Sequence, residues 1–79
     1  MNEAFRKAML GRMKALRANV MALNTSADEL VRCANLLDGQ PVAQVLRSRA
    51  QRRRVRVLEM QGKLAALKRV YFEHDHGDA

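Results

Sequence analysis

The sequence predicts an all-α protein, an antiparallel hairpin of two long helices that assembles into a helical bundle. Three observations carry this. Met13, Leu16, Val20, Leu23, Ala27, Leu30, Ala34 and Leu37 recur at alternating steps of three and four, the seven-residue repeat of a helix presenting one seam to a partner helix. A second ladder follows: Leu46, Ala50, Val57, Met60, Leu64, Leu67 and Tyr71, with Arg53 where an apolar residue is expected. Between the two lies Asp38-Gly39-Gln40-Pro41. There Gly tolerates the left-handed conformation that ends a helix, and Pro loses no hydrogen bond in the first turn of the next.

Helix one is expected over about residues 3–37. Phe5, Met9 and Met13 stand four apart and lead into the ladder. Asn24-Thr25-Ser26 is the one ambiguous patch. Ser26 followed by Glu29 matches a capping box, which would start a new helix. Against a break, no Gly or Pro interrupts the patch and the apolar phase runs through it unchanged. Asn, Thr and Ser each cost about 0.5 kcal/mol in a helix relative to Ala, which packing absorbs. A continuous helix is therefore expected, with a kink or break near Thr25 as the alternative. A tight turn at 38–41 folds helix two, about 42–73, antiparallel to helix one. Gly62 inside helix two costs about 1 kcal/mol relative to Ala. Residues 1–73 form one helical-hairpin domain, and the polar segment 74–79 reads as a flexible tail.

The chain has 79 residues, enough for one domain with a marginal core, since a chain this short buries only roughly 60–65% of its unfolded surface. Apolar residues make up 48%, with Phe5, Tyr71 and Phe72 as the only aromatics, so the core is aliphatic. The formal charge is +7. Residues 1–40 hold six basic and four acidic groups, residues 41–79 nine basic and four acidic. That excess favours anionic partners. A single cysteine, Cys33, excludes an intrachain disulfide and suits a reducing compartment. The N-terminus carries no apolar run of signal-peptide length, and no segment approaches the roughly 18 apolar residues of a membrane span. The expectation is a cytoplasmic protein without a membrane span, in the host cytoplasm if the chain is viral.

Helix two has a second stripe. Val55, Leu58, Gly62, Ala65 and Ala66 lie away from its ladder. A helix apolar on two sides needs two neighbours, and one hairpin offers it one. These five residues are the expected surface for self-association, with a dimer favoured, or for a protein partner. The small residues would admit another helix closely.

Arg47, Arg49, Arg52, Arg53, Arg54 and Arg56 fall within ten residues. At 100° per residue, Arg49, Arg52, Arg53 and Arg56 share about a third of the helix circumference, while Arg47 and Arg54 point elsewhere. Guanidinium groups present planar, bidentate donors to phosphates and carboxylates. The cluster suits an acidic protein surface or a nucleic-acid backbone. A solvated face pairing with Asp28, Glu29 or Asp38 is the plainer reading. Stacking aromatics and helix-turn-helix or zinc-finger patterns are missing. Arg53, at a seam position, either snorkels to the edge or meets a buried acid.

No cofactor or metal site is expected. His74 and His76 are two apart and do not share a helical face, and Asp75 and Asp78 lie in the same terminal segment. Cys33 reads as a small packing residue rather than a nucleophile. The chain offers no glycine-rich phosphate loop, Ser-His-acid set or carboxylate dyad, so no enzyme activity is expected. In outline it resembles small hairpin proteins such as the Rop-type RNA-binding dimers and the short co-chaperones of type III secretion, but no motif carries either likeness. The expected function is that of a small non-catalytic protein-binding regulator or adaptor, a viral inhibitor of a host protein among them. The alternative is an RNA- or DNA-binding hairpin contacting phosphates through the Arg47–Arg56 cluster.

Overall fold

The computed structural model describes residues 2–77, with side chains for 2–74. It contains two helices, α1 (Glu3–Leu36) and α2 (Pro41–Gly77), packed against each other over their length. Asn2 starts α1: its Oδ1 accepts a hydrogen bond from the Phe5 N–H at 2.7 Å, satisfying one of the donors a helix start leaves open. Glu3 adds a negative charge to the first turn, where the helix dipole favours it.

α1 runs unbroken through Asn24-Thr25-Ser26. The seam explains why. Ala27, one residue past the patch, is completely buried, and a helix restarted at Ser26 would have to recover the same phase after an interruption. Packing on α2 overrides the local capping preference.

The chain reverses over residues 37–40. Leu37 N–H donates to the carbonyls of Cys33 and Ala34, and Gln40 N–H donates to that of Leu37 at 3.0 Å. Gly39 has φ +86°, a conformation that side chains with a Cβ resist. Pro41 opens α2 with its φ already helical and no donor to lose.

Seven-residue steps outward from the turn define the register. They level Ala34 with Ala43, Ala27 with Ala50, Val20 with Val57, Met13 with Leu64 and Arg6 with Tyr71. At the last of these the structure shows a direct contact: Arg6 Nε donates to the Tyr71 hydroxyl at 3.0 Å, and its guanidinium carbon lies 6.0 Å from the ring centroid. Met9, Met13, Leu16, Ala27, Ala34, Ala43, Ala50 and Val57 are the buried apolar residues. Ala43 extends the second ladder one layer toward the turn. The four alanines are only 0–2% exposed. A side chain as short as a methyl is covered so fully only where the opposite helix comes close, so the turn half of the hairpin is tightly packed. Larger Met, Leu and Val side chains fill the open half.

Two details differ from expectation. Helix two was expected to end near residue 73, but it continues to Gly77. No Gly or Pro intervenes, and Tyr71 still anchors the seam; Asp78 and Ala79 lie outside the described residues. Cys33, expected to pack, is exposed. Its position in the heptad is beside the seam, at the edge of the helix pair.

The molecule is a rod of 60 × 15 × 11 Å with a radius of gyration of 17.8 Å. A compact domain of this length has a radius near about 12 Å. Among the described residues no helix is long and apolar enough to cross a membrane. A two-helix rod has one internal face and a great deal of external face, and among the described residues ten large apolar ones are exposed, Leu58 (68%), Met21 (71%) and Leu36 (85%) most of all.

Candidate functional site

The second stripe of α2 lies in the open half of the rod, on the side turned away from α1. Val55, Leu58, Gly62, Ala65 and Ala66 are all exposed. Val55 is 45% and Leu58 68% accessible. The structure lengthens this stripe. Steps of four and three from Ala65 pass through Arg69 to Phe72, itself 60% exposed and in edge contact with Tyr71. Continuing the three-four count past Ala65 would have found Phe72; Arg69 hides the periodicity. Gly62 has open space where a Cβ would stand. The face therefore has small residues at its middle and bulky apolar ones at both ends.

The outward face of α1 over the same half is different. Ala4, Ala8, Gly11, Ala15, Ala18 and Ala22 follow steps of four and three and are exposed. Small side chains bury little area and demand little cover. Large apolar side chains stand in water on both helices, Met21 and Leu36 on α1 as well as Val55, Leu58 and Phe72 on α2, but on α2 they line up with Gly62 and Ala65 in one three-four stripe.

The six arginines separate by environment. Arg47 Nη2 pairs with Asp38 Oδ1 at 3.0 Å, and Arg54 Nη2 with Asp28 Oδ1 at 3.1 Å. Both pairs lie along one edge of the hairpin. At this exposure each is worth about 0.2–1 kcal/mol. Two of the six arginines thus pair with acids that the sequence offered, Asp38 and Asp28. Arg49, Arg52 and Arg56 are exposed and form no ion pair among the described residues. Arg49 and Arg56, with Lys63 a further seven residues on, follow the opposite edge.

Arg53 stands half-buried at its seam position. No acid meets it. Its Nη1 turns back along its own helix toward the Arg49 carbonyl at 3.5 Å, which is snorkelling with the stem left at the seam. In its layer Leu23 has no apolar partner, and a groove of about 360 Å³ opens there, lined by Asn19, Leu23, Ser26, Arg53, Arg56 and Met60 among others. The groove thus has an apolar floor, an amide and a hydroxyl on one wall, and two guanidinium groups on the other.

Among the described residues no group of three potential metal ligands occurs. His74 places Nδ1 3.0 Å from the Val70 carbonyl, with its ring 6.2 Å from that of Phe5. The side chains of Asp75 and His76, and all of Asp78, lie outside the described residues. Among the described residues no buried polar side-chain atom lacks a hydrogen-bond partner. The surfaces can bury apolar area and attract anions. No known family, curated protein or solved structure matches the chain.

Proposed function

We propose that this chain is a non-catalytic helical adaptor or regulator that works by giving its outer α2 face to another protein. The carrying observation is the exposure of Val55, Leu58 and Phe72 along one side of α2, beside small residues that let a helix come near. Apolar contact supplies affinity at such a surface, and nearby charges steer the encounter. Exposed Arg49, Arg52 and Arg56 favour a partner with an acidic surface. An inhibitor or adaptor needs no more than this.

The test is a comparative pull-down from host extract. Leu58→Asp combined with Ala65→Asp is expected to keep the helix content by circular dichroism and to lose proteins that the unaltered chain retains. Identical retained sets from two equally helical proteins would refute the reading.

A second reading is phosphate-backbone binding, supported by the arginines that Asp28 and Asp38 leave unpaired. It predicts a gel shift with RNA or DNA at low salt that disappears between about 50 and 200 mM as released counterions lose their entropic advantage. Absence of any shift at low salt removes it.

A further inference from the structure

We infer that the partner of the α2 outer face is a second copy of the same face, docked antiparallel about a two-fold axis that passes between Lys63 and Leu64. This rests on the reading that the face is a protein-docking surface and names its occupant; an acidic partner then meets the edge that carries Arg49 and Arg56 rather than this face.

The stripe Val55, Leu58, Gly62, Ala65, Arg69, Phe72 advances in steps of three, four, three, four and three. Reversed and laid against itself about that axis, it is complementary. Gly62 meets Ala65 of the second copy, and Ala65 meets its Gly62. The two smallest residues fall where two crossing helices come closest, and the open space above Gly62 is the room this approach needs. Val55 faces Phe72 of the second copy at each end, so the exposed bulky residues cover each other. Leu58 faces Arg69, whose aliphatic stem can lie along the leucine while the guanidinium reaches water.

Charge agrees with the same register. Arg52 and Glu73 flank the stripe on one side of α2, both exposed and in no ion pair with each other or with any described residue. The two-fold axis brings Arg52 of each copy beside Glu73 of the other. In a parallel two-fold pairing the flanks that carry Arg52 and Glu73 would fall on opposite sides of the interface in the two copies, and this pair would not form. The arrangement is isologous, so it closes at two copies. It places the hairpins in the order α1, α2, α2, α1, with both α1 helices outermost and no hindrance from them.

The small-residue stripe of α1 also matches itself when reversed, Gly11 against Ala15, but it carries only Ala and Gly and would bury less apolar area. Pairing it with the α2 face of another copy would be heterologous and would propagate into an open chain of hairpins.

The docked segment, Arg52 to Glu73, spans about 33 Å of helix at 1.5 Å per residue. One helix pair of this length is at the small end of stable interfaces, so dissociation in the micromolar range is expected.

Sedimentation equilibrium from about 1 to 200 µM on the full chain, with circular dichroism of each variant, tests this. The unaltered chain should pass from monomer to dimer and stop there. Leu58→Asp and Gly62→Leu should each raise the dissociation constant at least tenfold with helix content kept. Arg52→Glu and Glu73→Arg should each weaken the dimer several-fold, and the double reversal should restore it. Gly62→Leu adds a better helix former, so its loss of dimer would not reflect failure to fold. A monomer at 200 µM overturns the inference, as does a dimer indifferent to these changes or an assembly that grows beyond two. A monomeric chain that still captures a host protein through Leu58 loses this inference and keeps the adaptor reading. A dimer that forms as described while the pull-down shows no Leu58 dependence keeps the inference and refutes the adaptor reading, because the second copy is then the protein that covers this face.

Discussion

Gly39 and Arg53 show how single side chains set local structure here. Gly39 sits at φ +86° with nothing within 4 Å of a would-be Cβ, so any cost of adding a methyl is conformational rather than steric crowding by neighbours. Gly39→Ala is expected to lower stability by about 1–2 kcal/mol, read as a lower urea midpoint with an unchanged slope. Arg53 is the opposite case, a residue the seam would improve without. It satisfies its guanidinium at the surface and leaves a groove beside Leu23 and Met60. Arg53→Leu should fill that layer and stabilise the hairpin by about 1 kcal/mol or somewhat more. If it destabilises, the guanidinium is holding more than its own helix. Both residues stand out in the sequence, Gly39 by its Gly-Gln-Pro context and Arg53 by its phase. The outcome for Arg53 depended on which acids lie within reach, and Asp28 is taken by Arg54.

At the level of the helices, burial outranks local preference. Ser26 and Glu29 have the spacing of a helix start, yet α1 passes through them because Ala27 and Ala34 must both lie on the seam. The ladders were legible because apolar period survives any local composition. The packing within them was less so: Ala43 and Ala50 look like weak core residues by size, but a close antiparallel neighbour covers them to within 1–2%. Sequence period gives the face of a helix and not how near the next one stands. Overpacking this region should therefore be costly: Ala50→Leu is expected to lose about 1–3 kcal/mol by thermal or chemical denaturation. On the outer face of α1 the reverse holds. Gly11 is helical and exposed, with open space where a Cβ would stand, so Gly11→Ala should stabilise by about 0.8–1 kcal/mol in the same assay. Phe72 was missed because Arg69 interrupts the outer stripe, and the length of α2 because the polar segment after residue 73 lacks a helix-breaking residue until Gly77.

For the whole molecule, the consequence of the hairpin register is a gradient in the cost of closing each layer. Ala34 and Ala43 are nine residues apart, whereas Arg6 and Tyr71 are separated by 65. Loop-closure entropy grows with the logarithm of that separation, about 1.7 kcal/mol more at the open end if the layers formed independently. The chain should zip from the turn outward and fray from the other direction. Amide hydrogen exchange should show the slowest protons on the inner turns of α1 and α2 near Ala27 and Ala50, with protection falling toward Phe5 and Phe72. Tyr71→Phe, which removes the hydroxyl that Arg6 contacts, should speed exchange at the open end and leave the turn half nearly unchanged. The half that is slowest to close is also the half whose outer α2 face carries Val55, Leu58 and Phe72. Any protein that covers those residues would suppress the fraying, so occupancy of the face would be readable from inside the hairpin, as slowed exchange across a seam it never touches.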